Sequence, residues 1–403
     1  MKMNIYYALI ASALVLTAGC KKSLNSQVNL SNGAKAGFVM NDDWQRPAVS
    51  GRVIRYDVGD GNGSDCLLAY DISTGQVSLT KVSGANSTTL YSGSGLSGLS
   101  VNTDYGDVID NYTEIGGVHI IPYDAGGTGH EDHILMYIPS HGILYLLHFV
   151  TSTGQWAQDW SSTAGIAGYD LASKTDKIIS YDYGSGYKNA LIVYRPLVGY
   201  VWVIENTGTA SSPVFTAVVK SSSGIGGFDF KGELDQLLAV GYNPGAMDLV
   251  AYRPGNNYLW YINHHTAYST SFTTAYTSRS GFPNFSFADS STRMIALNES
   301  GAASTTYDNT MYCYHPGAGG SYSVVDVVSG STVSGGAPYP YLYYPFANDP
   351  YAPGANYVGD HALAFSGNGL GNSSLLFYAN GSTSTQSQIY ELNTSTSTYT
   401  QVY

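Results

Sequence analysis

Short apolar strands recur along the chain, each ending near an aromatic residue and separated from the next by a polar turn. Residues 189–206, NALIVYRPLVGYVWVIEN, have this pattern, and residues 247–264, MDLVAYRPGNNYLWYINH, nearly repeat it. The strands in both copies are apolar at successive positions, which is typical of strands buried on both faces. A near copy within one chain indicates a repeat architecture, so we expect the same unit elsewhere.

The aromatic residue after the apolar strand recurs about every 60 residues, at Tyr70, Tyr137, Tyr194, Tyr252, Tyr314 and Tyr378. A further apolar strand precedes each of these anchors, and two more follow it. Four short strands joined by Gly-rich turns predict one antiparallel sheet per unit. Such a sheet cannot bury both of its faces alone, whereas sheets stacked around an axis can. The sequence therefore predicts an all-β fold, a β-propeller of four-stranded antiparallel blades, with six blades favoured and seven as the alternative.

The first twenty residues, MKMNIYYALIASALVLTAGC, have the pattern of a bacterial lipoprotein signal. The apolar run is shorter than the roughly 20 residues that a membrane-spanning helix needs. Small residues precede Cys20, the expected lipidation site; an ordinary signal peptide with a chance cysteine is the alternative. We predict a signal peptide at 1–19, a lipidated cysteine and flexible tether at 20–35, and the propeller at 36–403. Lysines rather than Asp follow Cys20, so we expect a lipid anchor in the outer membrane.

Composition narrows the function. The chain has 36 Tyr, only 11% charged residues and a formal net charge of -12. A disordered chain would have few aromatic residues, so these numbers indicate a packed fold. Nucleic-acid binding needs clustered Lys and Arg, and the 17 present are spread thinly, so we expect no nucleic-acid partner. Cys66 and Cys313 stand at different places in the repeat, which predicts two buried free thiols rather than a disulfide.

The third unit also resembles a known family. Residues 164–196, AGIAGYDLASKTDKIISYDYGSGYKNALIVYRP, are similar to the repeat of PLL-type lectin propellers, which are fucose-binding proteins of insect-associated bacteria. The fourth unit shares the pattern through SGIGGFDF and YRPG. The other units match in layout more than in letters, and members of that family are described with seven blades. The resemblance implies a propeller and suggests carbohydrate binding.

Sugars stack their C–H faces on aromatic rings and take hydrogen bonds from charged or planar side chains. In the third unit, the candidate ligand-binding residues are Arg195, Trp202, Tyr169 and Asp170. In the fourth unit, they are Arg253, Trp260, Phe228 and Asp229, with Tyr145 and His315 as weaker equivalents. Two structural alternatives stand beside this hypothesis: the Trp residues can serve packing between blades, and each Arg can pair with the nearby Asp.

Other site chemistry has less support in the sequence. Gly-rich turns such as YDAGGTGHED keep the outer carboxylates of a Ca²⁺ loop but lack the middle pair, so we interpret them as hairpin turns. His130, Asp132 and His133 could form a metal site, with a solvated turn as the favoured alternative. We therefore expect no metal, cofactor or enzymatic activity. The favoured function is a lectin-like, glycan-binding propeller; a protein-interaction propeller and a glycan hydrolase are the alternatives.

Overall fold

The computed structural model describes residues 51–59, 66–72, 74–83, 86–102, 118–138, 141–243, 246–264, 266–282, 285–297, 310–315, 322–329, 340–347, 360–365, 374–379, 388–393 and 398–401. All of them belong to one compact unit, Gly37–Tyr403. The predicted signal peptide, Cys20 and the tether lie outside the described residues, so these predictions stay untested. Within the described ranges every regular element is a strand, and no helix is present that could cross a membrane.

Each of the first three blades is a sheet of four consecutive antiparallel strands. Blade 1 contains β1 (Gly51–Tyr56), β2 (Cys66–Asp71), β3 (Gln76–Ser83) and β4 (Asn86–Ser94). Blade 2 contains β5 (His119–Tyr123), β6 (His133–Ile138), β7 (Ile143–Val150) and β8 (Gln155–Ser161). Blade 3 contains β9 (Lys177–Tyr181), β10 (Ala190–Arg195), β11 (Tyr200–Asn206) and β12 (Phe215–Ser221).

The second half of the chain repeats this arrangement. Blade 4 contains β13 (Gln236–Asn243), β14 (Ala246–Arg253), β15 (Tyr258–Asn263) and β16 (Thr273–Ser278). Blade 5 contains β17 (Arg293–Leu297), β18 (Thr310–Tyr314), β19 (Tyr322–Ser329) and β20 (Pro340–Ala347). Blade 6 contains β21 (Asp360–Phe365), β22 (Ser374–Ala379), β23 (Gln388–Asn393) and β24 (Thr398–Gln401).

The first strand of each blade lies at the centre. These strands contact one another in the order β1, β5, β9, β13, β17 and β21, and β21 contacts β1 again. A closed circuit of first strands with the other strands outside them is the arrangement of a β-propeller. The predicted all-β propeller is confirmed, and the described residues form six sheets, as the repeat indicated.

Apolar side chains fill the space between neighbouring blades. On β10, Leu191 and Val193 pack towards blade 2, whereas Ile192 and Tyr194 pack towards blade 4. All four are fully or almost fully buried. Because both faces of the strand are covered, its sequence is apolar at successive positions rather than at alternate ones until Arg195 ends it.

The repeated anchor tyrosines join each blade to the next. The hydroxyl of Tyr137 in blade 2 accepts a hydrogen bond from the backbone N–H of Ile178 in blade 3, at 3.1 Å. Tyr194 of blade 3 accepts the N–H of Leu237 in blade 4 in the same way, at 3.2 Å. Each bond satisfies an amide of the next inner strand, which explains why the repeat keeps a tyrosine at this position.

A second set of tyrosines, at the ends of the inner strands, forms bonds in the opposite sense. Tyr56 donates to the carbonyl of Asp132, Tyr123 to that of Asn189 and Tyr181 to that of Met247, each at 2.6 Å. Burial raises the pKa of all three phenols, so they stay protonated donors at neutral pH. The three successive interfaces that join blades 1, 2, 3 and 4 are therefore stabilised by hydroxyl-to-backbone hydrogen bonds as well as by apolar packing.

The connection from one blade to the next makes a tight turn that begins with glycine. In the turn before blade 3, Ile166 and Tyr169 pair as an isolated bridge, and Gly165 before them has a φ of 66°. A Cβ atom at Gly165 would overlap the carbonyl oxygen of Tyr169. Gly224, before the equivalent bridge Ile225–Phe228, is under the same constraint. The backbone conformation of the turn therefore explains why the GIAGYD and GIGGFD segments each begin with glycine.

The two cysteines within the described residues are buried thiols that form no disulfide there, as predicted. Burial in the apolar layer between blades 4 and 5 raises the pKa of the Cys313 thiol. Both thiols act as small apolar core residues.

Candidate functional site

The four residues predicted for the third unit lie together. Arg195 ends β10 and carries its guanidinium to the turn that enters blade 3, where Asp170 accepts a bond from its Nη2. The same guanidinium forms a bidentate ion pair with Asp176, in which Nε is 2.6 Å from Oδ1 and Nη2 is 2.8 Å from Oδ2. The sequence predicted the contact with Asp170 but not the one with Asp176. Asp176 is the stronger partner, because its side chain has no exposed area.

The fourth unit repeats this geometry. Arg253 bonds Asp235 through Nε at 2.6 Å and Nη2 at 2.7 Å, and its Nη2 reaches Asp229 at 2.6 Å. In both units the guanidinium also lies against two aromatic rings. Its central carbon is 5.3 Å from the ring centroid of Tyr169 or Phe228, and 5.9 or 5.6 Å from that of Tyr200 or Tyr258.

These contacts set the charges of the two clusters. The hydrogen bond from Arg195 lowers the pKa of Asp170 below its usual range. Burial, the largest single influence, acts to raise the pKa of Asp229. The bond from Arg253, the backbone N–H of Lys231 and the charges of both side chains together lower the pKa below its usual range. Burial raises the pKa of Asp235 despite its pairing. Hydrogen bonds to Asp176 and Asp235 raise the pKa of Arg195 and Arg253, which therefore stay charged.

The two predicted tryptophans lie beside these clusters and are half-buried. Trp202 packs edge-on against Tyr169, with ring centroids 5.3 Å apart, and the ammonium of Lys220 lies 4.5 Å from its ring centre. Trp260 packs edge-on against Phe228 at 5.4 Å. Both alternatives considered from the sequence thus occur: the tryptophans pack and the arginines pair with aspartates. Whether the exposed part of each cluster also binds a ligand stays a prediction.

The weaker candidates do not join these clusters. Tyr145 of β7 packs at the edge of the apolar layer between blades 1 and 2. His315 follows β18 and stacks on Phe285, with ring centroids 4.4 Å apart. Its imidazole lies 3.1 Å from the hydroxyl of Thr292, and burial lowers its pKa. We find no contact that links either residue to the clusters around Arg195 and Arg253 in the part of the chain that the structure describes.

The Gly-rich turns direct their carboxylates inward. Asp124 accepts the backbone N–H groups of Thr128 and Gly129, and Asp182 accepts those of Gly184 and Gly186. Burial raises the pKa of both carboxyls. These bonds support the interpretation of the segments as hairpin turns, because the carboxylates stabilise the turn itself.

A cavity on the propeller axis is the feature that the sequence analysis missed. It holds about 320 Å³ and is lined by residues of the inner strands and by the anchor tyrosines Tyr70, Tyr137, Tyr194, Tyr252 and Tyr314. Blades 1 to 5 each contribute one polar residue from the start of the inner strand: Arg52, His119, Lys177, Gln236 and Arg293. We refer to these five residues as the axial ring.

The axial ring has a consistent position in the repeat. Arg52 pairs across the strands with Tyr70, Lys177 with Tyr194 and Arg293 with Tyr314. In blade 6 the same register position belongs to His361, opposite Tyr378. The signal was present in the sequence as the first letter of RVI, HII, KII, QLL and RMI. It was missed because one polar residue at a strand start is common, and only the ring closure brings these residues together.

The axial ring is cationic. Among the described residues that line the cavity, three are Arg or Lys and none is Asp or Glu. The chain as a whole has a formal net charge of -12, so the sign of the charge in the cavity opposes that of the protein. A concave site with low-dielectric walls concentrates such a field and attracts ions of opposite charge.

Comparison with known proteins identifies no family for this chain. No family model and no curated protein matches the chain. A provisionally named 6-phosphogluconolactonase from Bacteroides uniformis is similar in structure, with 10% identity, 87% of this chain and 82% of that chain covered, and a TM-score of 0.45. The periplasmic gluconolactonase PpgL of Pseudomonas aeruginosa is 10% identical, with 70% of each chain covered and a TM-score of 0.36. Kluyveromyces lactis Hsv2 is 7% identical, with 87% of this chain and 97% of that chain covered and a TM-score of 0.41.

These likenesses correct one expectation and leave another as a proposal. The expectation of no enzymatic activity is contradicted, because the similar structures include proteins named as lactonases. The resemblance to PLL-type lectins receives no support beyond the propeller itself. At such identities the comparisons do not assign an activity.

Proposed function

We propose that this propeller binds a small anionic ligand of the sugar-acid class in its axial cavity. The observation that carries the proposal is the axial ring, in which Arg52, Lys177 and Arg293 converge from three blades on one cavity. Arg and Lys are the side chains that bind carboxylate and phosphate groups most strongly.

The remaining lining favours a carbohydrate skeleton over a bare ion. Five anchor tyrosines, each at most 6% exposed, border the cavity and add apolar wall between its polar groups. Gln236 and His119 add groups that can donate or accept hydrogen bonds from hydroxyls. A volume of about 320 Å³ lies at the lower end of the range for small-molecule pockets, so a monosaccharide fits better than an oligosaccharide.

Calorimetric titration of the purified protein with D-gluconate, D-glucuronate, inorganic phosphate and neutral D-glucose tests this proposal. We expect one sugar acid to bind at a stoichiometry of one, more tightly than glucose, with an affinity that falls as salt is added. Arg52→Gln and Arg293→Gln should each weaken binding about tenfold or more, since each removes a charge-assisted hydrogen bond. Lys231→Gln, which removes an exposed charge outside the cavity, is the matched control.

Binding by both Arg variants that is as tight as that of the unmodified protein, or no binding of any anion, would refute an axial site. Tighter binding of phosphate than of either sugar acid would also contradict the sugar-acid class. The same preparations can be assayed for hydrolysis of D-glucono-1,5-lactone by pH-stat, because a gluconolactonase is among the similar structures. Loss of turnover in the Arg variants alone would place that activity in the cavity.

A second candidate function is glycan binding at the clusters around Arg195 and Arg253, displayed at the outer membrane through a lipid on Cys20. Two equivalent half-buried tryptophans, each beside an exposed carboxylate, favour it: the side chains of Asp170 and Asp229 are 64% and 48% exposed. A glycan array that includes fucosylated structures tests it. Trp202→Ala and Trp260→Ala should abolish binding, whereas Trp160→Ala, a half-buried tryptophan of blade 2, should not.

A further inference from the structure

We infer that blade 2 carries a site for a divalent transition-metal ion, formed by His133, His148 and Asp159. One ligand atom from each of the three residues lies within 4.8 Å of the other two. His148 Nδ1 is 2.7 Å and His133 Nε2 is 3.6 Å from the same oxygen, Oδ2 of Asp159. The site differs from the one considered in the sequence, because His130 lies apart and pairs with Asp57 of blade 1.

The distances suit a transition metal. A tetrahedral Zn²⁺ ion with bonds of about 2.0 to 2.1 Å places its ligand atoms about 3.3 Å apart. At 3.6 Å, the distance from His133 Nε2 to Asp159 Oδ2 is close to this value. His148 Nδ1, at 2.7 Å, must move away from that oxygen, and the three ligand atoms, which lie within 4.8 Å of one another, must close around the ion. Two imidazoles and one carboxylate leave one coordination position for water or a substrate atom. Because two ligands are nitrogen atoms, Ca²⁺ and Mg²⁺ are poorly suited.

A second carboxylate orients one of the ligands. Oδ1 of Asp132 lies 2.6 Å from Nδ1 of His133, so Nε2 is the nitrogen that faces Asp159. Metal-binding histidines commonly hold their other nitrogen against a carboxylate in this manner. The side chains of His133 and Asp159 are 10% and 15% exposed, and that of His148 is 33% exposed, which leaves an entry path on the His148 side.

The repeat shows that the scaffold does not need these residues. His133 and His148 face each other across β6 and β7, and the equivalent pairs are Cys66–Lys81 in blade 1 and Ala190–Glu205 in blade 3. Asp159 is the extra residue of a β-bulge in the fourth strand. The same bulge position holds Leu90, Val218 and Ala275 in blades 1, 3 and 4. Only blade 2, of these four, replaces an apolar bulge residue with a carboxylate, directly beside two histidines.

Metal binding by the full-length protein tests the inference. After treatment with EDTA and dialysis, calorimetry with Zn²⁺ should give one site per chain, and Co²⁺ should give the visible absorption of a four-coordinate ion. Asp159→Asn and His148→Gln should each weaken Zn²⁺ binding at least tenfold and remove the Co²⁺ band. His141→Gln, in the exposed turn of the same blade, should leave both unchanged.

Asp132→Asn tests whether Asp132 orients His133 without itself coordinating the metal ion. It should weaken binding about 10- to 100-fold while the Co²⁺ band keeps its shape, because the three ligands remain. Circular dichroism and the urea midpoint of each variant show whether it is folded, and Asp159→Asn is chosen because it preserves side-chain shape. Binding that is absent from the unmodified protein, unchanged in Asp159→Asn, or equal for Ca²⁺ and Zn²⁺ would overturn the inference.

Discussion

The phenolic oxygen of Tyr194, on the second strand of blade 3, accepts a hydrogen bond from the backbone N–H of Leu237, on the first strand of blade 4, at 3.2 Å. Both residues are buried, so water cannot replace the tyrosine as a partner for this amide. The most regular residue of the repeat, the anchor tyrosine, therefore links one blade to the next.

Tyr194→Phe should lower the free energy of unfolding by about 1 to 3 kcal/mol, because it leaves a buried N–H without an acceptor while the ring still packs. Urea unfolding followed by circular dichroism measures this. Tyr200→Phe, at an exposed position on the next strand, should change stability by less than about 0.5 kcal/mol. Equal effects of the two substitutions would contradict the proposed link.

The features of the fold that depend on the periodicity of the repeat could be predicted from the sequence. Strand order, the sandwiching of each blade and the free thiols follow from the recurrence of apolar runs and the positions of Cys66 and Cys313. The contact between Arg195 and Asp170 could also be expected, since both belong to one repeat. The second carboxylate, Asp176, could not, because its approach depends on the path of the turn that enters the blade.

The two ligand sites proposed here depend on relations between distant residues. The axial ring brings Arg52 and Arg293 to one cavity only when the circle of blades closes. The His133–His148–Asp159 cluster depends on a strand register and on a bulge between Leu146 and Leu147 of the pairing β7–β8. Neither register nor bulge is visible in a pattern of apolar and polar letters.

Arg195→Met should destabilise the protein by about 3 to 5 kcal/mol, because it leaves the fully buried carboxylate of Asp176 without its cation. The double variant Arg195→Met/Asp176→Asn should recover part of this loss, since the buried charge is gone. Asp170→Asn, on the exposed side of the same guanidinium, should cost no more than about 1 kcal/mol. Urea unfolding of the unmodified protein, Arg195→Met, Asp176→Asn and the double variant gives the coupling energy of this pair. A double variant less stable than Arg195→Met would show that Asp176 carries no unpaired-charge penalty.

The lowered pKa of Asp170 predicts a pH dependence with a defined sign. The folded-state pKa lies below the unfolded value of about 3.9, so the carboxylate stabilises the folded state above that pH. The contribution is lost as the pH falls through the lowered pKa. The difference in unfolding free energy between the unmodified protein and Asp170→Asn should therefore shrink on acidification. Asp229→Asn should show the same trend. A difference in unfolding free energy that grows as the pH falls would contradict this prediction.

The glycine that opens the turn before blade 3 allows a test of the repeat motif itself. Gly165 and Gly168 both have positive φ, 66° and 89°, so an L-residue at either position carries a conformational cost of about 1 to 2 kcal/mol. They differ in surroundings. A Cβ at Gly165 would overlap the carbonyl oxygen of Tyr169, whereas one at Gly168 would only touch the ring of Trp202 at 3.9 Å. Gly165→Ala should therefore lower the unfolding free energy clearly more than Gly168→Ala does. Equal losses in urea unfolding would show that backbone conformation alone selects glycine in this motif.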